Sequence, residues 1–215
     1  MKYKLVIFDL DGTLLNTLDD LVDSTNYALS KNHLPTRTLN EICSFVGNGI
    51  RKLIERSLPE GSSDTVVNQV HLDFTDYYID HCNDKTTAYP GIVELLEKLK
   101  KLGVHSAVVS NKADDAVKQL CNLYFSNVID FALGHKVGVP CKPEPDSVFM
   151  VLDEFSCEKS EAVFVGDSDI DIQTARNSGM DCICVSWGFR EAEFLKKKGA
   201  TTIISSPDEL IGYLV

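Results

Sequence analysis

Residues 5 to 17 read LVIFDLDGTLLNT, and two aspartates, Asp9 and Asp11, follow directly on four apolar residues. A continuous apolar run of this length suits a strand buried on both faces of a parallel sheet. Carboxylates do not belong in such a core, but they are well placed at its carboxyl end, where open α/β sheets gather ligands. Gly12 and Thr13 come next, and the glycine lets backbone approach a ligand closely. A lone acid pair in so acidic a chain also reads as surface charge, so the other strand ends decide the matter.

Three of them carry polar groups. VVSNK ends an apolar run with Ser110 and Asn111. CKPEPD places Lys142 in a loop bounded by Pro140, Pro143 and Pro145. VFVGDSDID ends its run with Asp167 and sets Asp171 four residues on, at helical spacing. Each has an ordinary reading: Ser110 as a helix cap, Lys142 as a solvated lysine, Asp167 and Asp171 as caps and charges at a helix N-terminus. Together they supply carboxylates, a hydroxyl and a lysine. Clustered carboxylates repel one another unless a cation sits among them. Mg²⁺ suits few carboxylates plus waters and phosphate oxygens, and a lysine and a hydroxyl then cover the phosphate oxygens that the metal does not reach.

These residues require a particular frame. Short apolar runs at 4–9, 105–111, 129–134, 162–167, 182–187 and 201–205 read as buried strands. Helical stripes lie between most of them, among them Ile92, Leu95, Leu96, Leu99 and Leu102, and Val148, Phe149, Leu152 and Phe155. This alternation predicts an α/β fold, a Rossmann-like parallel sheet flanked by helices. One interval breaks the rhythm. Roughly 80 residues separate the first strand from the helix near Gly91, where a βα connection ordinarily needs about 2–6. Apolar stripes at Leu18, Leu21, Val22, Thr25 and Leu29 and at Val66, Val70, Phe74, Tyr77 and Tyr78 make it an inserted all-helical domain. The expected division is a core of residues 1–16 and 87–215 and an insert of 17–86.

Composition narrows the function. The 215 residues are 44% apolar and 25% charged, as in ordinary globular proteins. A net charge of -11 argues against nucleic acid. Seven cysteines without a C-x-x-C pair suggest a reducing compartment, and the absence of a long apolar run predicts no membrane span. The expectation is a cytoplasmic protein, a monomer or weak homodimer.

FDLDGTLLNT, VVSN, CKPEPD and GDSDID resemble the four motifs of the haloacid dehalogenase-like hydrolases, over nearly the whole chain. The helical insert is similar to the family's C1 cap. FVGNGIRKLIERSL and KPEPD are most similar to the phosphoglycolate phosphatase-like branch. The resemblance implies that Asp9 is a nucleophile forming an aspartyl-phosphate and Asp11 a general acid and base. It implies Mg²⁺ held by the Asp9 side chain, the Asp11 carbonyl and Asp167, with Asp171 just outside. Ser110 and Lys142 would bind the phosphoryl oxygens, helped by Asn111 and by backbone amides of the loop that carries Gly12 and Thr13. In the cap, Gly47, Asn48, Gly49 and Arg51 open a helix whose N-terminus favours anions. The substrate would be a small phosphorylated metabolite, with the carboxylate of 2-phosphoglycolate as the natural fit for Arg51. Alternatives are a small-molecule pyrophosphatase or nucleotidase of the family, or a phosphosugar mutase, which tends to carry Val where this chain has Thr13. A non-catalytic phospho-receiver also pairs acids with a Ser and a Lys, but it has no place for a helical insert. Asn16 stands where relatives often have an acid, and is expected to cap or orient the entry to the insert.

Overall fold

The structure is a computed structural model and describes residues 2–214. The chain divides into two compact units, Met1–Leu15 with Ala88–Val215, and Asn16–Thr87. In chain order the elements are β1 (Leu5–Phe8), β2 (Leu15–Asn16), α1 (Leu18–Lys31), α2 (Leu39–Phe45), α3 (Ile50–Ser57), α4 (Asp64–His81), β3 (Thr87–Ala88), α5 (Ile92–Lys101), β4 (His105–Ala113), α6 (Asp114–Phe125), β5 (Phe131–His135), α7 (Asp146–Glu154), β6 (Ala162–Gly166), α8 (Asp169–Ser178), β7 (Asp181–Val185), α9 (Ala192–Lys197) and β8 (Ile203–Ile204).

Six strands form one parallel sheet in the order β5-β4-β1-β6-β7-β8. All four residues of β1 are buried, as a central strand with helices over both faces requires. Alternation splits them. Leu5 and Ile7 join Val109, Phe164, Val148 and Val151 in one apolar cluster, while Val6 and Phe8 are buried on the opposite face. The order places β1 between β4 and β6, so the chain runs away from it in both directions, the arrangement that opens a crevice at the strand ends. Register does the rest. Phe8 pairs with Val108 on one side and Val165 on the other. Asp9 comes one residue beyond that line, and Ser110 and Asp167 two residues beyond it.

The second unit contains the four helices α1 to α4. Helix α2 begins with a capping box between Thr38 and Glu41. The buried Asp20 on α1 accepts hydrogen bonds from the Lys85 and Thr86 amides and the Thr86 hydroxyl, fastening the end of the unit to its first helix. Asn16 Oδ1 accepts from the Leu18 amide at 3.3 Å, while the N-cap residue of α1 is Thr17.

Candidate active site

Asp9 follows β1 and extends its ladder by one bond, its amide donating to the Val165 carbonyl at 2.8 Å. The chain then turns within six residues. The amides of Leu14 and Leu15 both donate to the Leu10 carbonyl, the Gly12 amide donates to Leu15, and Gly12 takes φ +85°. A side chain at Gly12 would be strained by that angle, and its Cβ would also fall 2.4 Å from Asp167 Oδ2. The phosphate donors expected from Gly12 and Thr13 are therefore engaged inside the loop. The Gly12 amide goes to Leu15 and the Thr13 amide to Leu10, and what these two residues supply is its shape.

Lys142 is the centre of the site. Its Nζ donates to Asp171 Oδ1 and pairs with Asp9 Oδ1, both at 2.8 Å, and the side chain is 2% exposed. Burial works against the ammonium, but Asp171 and Asp9 outweigh it and hold the charge well above the ordinary lysine range. Both ends of the Asn111 amide meet the Lys142 backbone: Nδ2 donates to its carbonyl at 2.9 Å and Oδ1 accepts its amide at 2.8 Å. Asn111, expected among the phosphate donors, thus positions the lysine. Asn177 Nδ2 fastens the same loop through the Pro143 carbonyl.

The acids converge. One carboxylate oxygen each from Asp9, Asp167 and Asp171 lie within 4.8 Å of one another. Burial, with Asp171 and Asp11 adding repulsion, pushes the Asp9 carboxyl up to about 7 despite Lys142. Burial and the neighbouring Asp171 and Asp9 raise Asp167 in the same direction. Three clustered carboxylates with one lysine paired to two of them is an arrangement that a hard divalent cation relieves, and an all-oxygen donor set fits one. Asp171 also realises its ordinary reading, because Oδ2 accepts the Ser168 amide and hydroxyl in a capping box that starts α8.

Two groups escaped the sequence reading. Lys112 continues β4, with Nζ 2.8 Å from Asp11 Oδ1 and a side chain 3% exposed. It stands where β4 shifts register against β5 between Val109 and Ala113, an irregularity that strand alternation does not mark. The second is the loop after β7. Phe189 donates its amide to Asp167 Oδ2 at 2.6 Å, and Trp187 Nε1 donates to the Thr13 carbonyl at 3.0 Å. Between them Gly188 packs so closely that a Cβ would sit 2.2 Å from the Gly12 carbonyl oxygen and 2.4 Å from Asp167 Cβ. No periodicity marks such a contact. Gly188→Ala is expected to displace Asp167 and the Gly12 loop, lowering kcat on the order of 10²-fold and stability by about 1–3 kcal/mol. Steady-state kinetics and thermal melting check it, and wild-type kinetics would remove this loop from the site.

In the helical unit, Gly47 and Gly49 take positive φ, and Gly49 precedes the first residue of α3. Asn48 Oδ1 accepts from Arg56 Nη2 at 2.7 Å. Arg51 Nε donates to Glu55 at 3.1 Å and Nη1 to Asn68 at 2.8 Å.

A parallel sheet whose central strand ends in an acid pair, flanked by a hydroxyl, a buried lysine and an acid cluster suited to a divalent cation, defines a phosphoryl-transfer core. Residues 6–185 match the model of the haloacid dehalogenase-like hydrolases. A phosphoglycolate phosphatase of Psychrobacter arcticus is 30% identical over all of this chain and 97% of its own length. One from Haemophilus influenzae is 33% identical over 87% of this chain and 88% of its own. The crystal structure of a Lactobacillus delbrueckii subsp. bulgaricus protein assigned to the phosphoglycolate phosphatases superposes with a TM-score of 0.95 at 39% identity, covering 100% of this chain and 99% of that one. The chain belongs to the haloacid dehalogenase-like hydrolase family, as a phosphatase of the phosphoglycolate phosphatase-like branch.

Proposed function

We propose that the protein is a Mg²⁺-dependent phosphomonoesterase acting on a small phosphorylated metabolite, with 2-phosphoglycolate as substrate. The observation that carries it is the clustering of the Asp9, Asp167 and Asp171 carboxylates, two of which, Asp9 and Asp171, pair with the buried Lys142. Asp9, at a rigid strand end, attacks phosphorus and becomes an aspartyl-phosphate, which splits one displacement into two. Asp11, held by Lys112, gives its proton to the leaving alcohol and then takes one from water. Lys142 and the Ser110 hydroxyl meet the charge on the phosphoryl oxygens. Asp9, Asp167 and the Asp11 carbonyl would hold Mg²⁺, with Asp171 behind them. The bound ion supplies charge neutralisation for the phosphoryl group. The relatives named as phosphoglycolate phosphatases support the choice of substrate. Gly47, Asn48, Gly49 and Arg51 of the helical unit would act as cap residues that add to the selection of that substrate. All seven cysteines are free, and among the described residues no helix is long and apolar enough to cross a membrane. Both favour a cytoplasmic setting.

The test is metal-dependent phosphate release from 2-phosphoglycolate. Chelation is expected to abolish it and Mg²⁺ to restore it. Full activity after thorough chelation would overturn the mechanism. The raised carboxyls add a pH signature with a definite sign. Below about 7 the Asp9 carboxyl holds a proton that the cation must expel, so Mg²⁺ affinity grows as pH rises through that value. The increase in melting temperature on adding Mg²⁺ is therefore expected to be larger at pH 8 than at pH 6. A larger increase at pH 6 would place the ion elsewhere.

A further inference from the structure

The chemistry proposed for Asp9, Asp11 and Lys142 gives Lys112 nothing to do beyond holding Asp11, yet Lys112 is as deeply placed as the phosphate lysine. Its side chain is 3% exposed against 2% for Lys142. A buried ammonium is costly, and an ion pair repays that cost only in part. A charge kept at such a position invites the question of what anion it meets.

Position answers it. The Lys112 amide donates to Ser110 Oγ at 3.2 Å where β4 shifts register against β5 between Val109 and Ala113, which holds the two residues together at the strand end. The Lys112 ammonium lies on the Asp11 side, with Nζ 2.8 Å from Asp11 Oδ1. Asp11 is the group that must touch the leaving oxygen. Two hydrogen bonds in series through Oδ1 put the ammonium within roughly 5.5 Å of that oxygen. A carboxylate on the carbon bonded to the leaving oxygen extends about 2.5–3.5 Å from it by ordinary bond lengths. The remaining gap is one hydrogen bond. Lys142, the other buried cation of the site, is committed to Asp9 and Asp171.

Resting on the phosphomonoesterase reading, we infer that Lys112 is a specificity-determining residue. Its ammonium binds a carboxylate carried next to the esterified carbon, so the core unit itself selects phosphate esters of 2-hydroxy acids. Arg51 is engaged by Glu55 and Asn68 within its own unit and is the rival for this contact.

The experiment compares kcat/KM for 2-phosphoglycolate with that for 2-phosphoglycolamide, which has the same shape without the charge. The wild-type ratio is expected to be on the order of 10- to 100-fold in favour of the carboxylate. Lys112→Met is expected to lower both values, since Asp11 loses its partner, and to collapse the ratio towards one, while Lys112→Arg retains it. An unchanged ratio in Lys112→Met would make the lysine a positioning group for Asp11 alone and overturn the inference. So would a collapse in Arg51→Ala instead. If wild-type enzyme hydrolyses both esters equally, the phosphatase reading stands and the inference falls, and this arm needs no variant to fold. If it hydrolyses neither, both fall.

Discussion

Asp9→Asn is expected to lower turnover of every phosphomonoester on the order of 10⁴- to 10⁶-fold, the scale seen when an enzyme loses its nucleophile. The amide is nearly the same size, so packing at the end of β1 is unchanged. It cannot attack phosphorus to give a stable acyl phosphate. The fold should survive. Lys142 loses one partner but keeps Asp171 at 2.8 Å, and the substitution removes a carboxyl that burial already disfavours as an anion. Melting temperature above pH 7 is therefore expected to hold or rise. Activity, melting temperature and phosphoenzyme trapped from labelled substrate are the measurements. A variant that still labels covalently would mean another nucleophile.

The catalytic frame was legible because a parallel sheet writes itself into the chain as short apolar runs with chemistry at their carboxyl ends. Asp9, Ser110 and Asp167 each follow such a run, and the register through Phe8, Val108 and Val165 brings them together. Strand ends were less legible. The run 105–111 extends in the structure to Ala113, and stopping it at Asn111 hid Lys112. The run 182–187 ends as a strand at Val185, and beyond it Trp187, Gly188 and Phe189 make contacts with residues more than twenty positions away. Those contacts follow from the sheet order, which no local pattern encodes. Asn111 shows a different limit. Its type suits a phosphate ligand and a backbone clamp equally, and only the position of Lys142 separates the two.

Asp11→Asn is expected to lower kcat/KM for 2-phosphoglycolate on the order of 10²- to 10⁴-fold, the range for losing a general acid. The loss should be much smaller for p-nitrophenyl phosphate, whose leaving group departs readily as an anion. Because kcat/KM reports the steps through formation of the phosphoenzyme, its hydrolysis does not enter the comparison. Equal losses on the two substrates would show that Asp11 does not protonate the leaving group. The ion pair with Lys112 adds a second consequence. Removing one partner of a buried pair costs up to roughly 3–5 kcal/mol, less here because the Asp11 side chain is 15% exposed. The melting temperature should therefore drop in Asp11→Asn. Adding Lys112→Met to it removes the stranded charge, and is expected to recover most of the stability and none of the lost general-acid catalysis. Recovery of activity along with stability would instead mean that the single variant failed through distortion of the site, and that Asp11 serves to hold Lys112 in place.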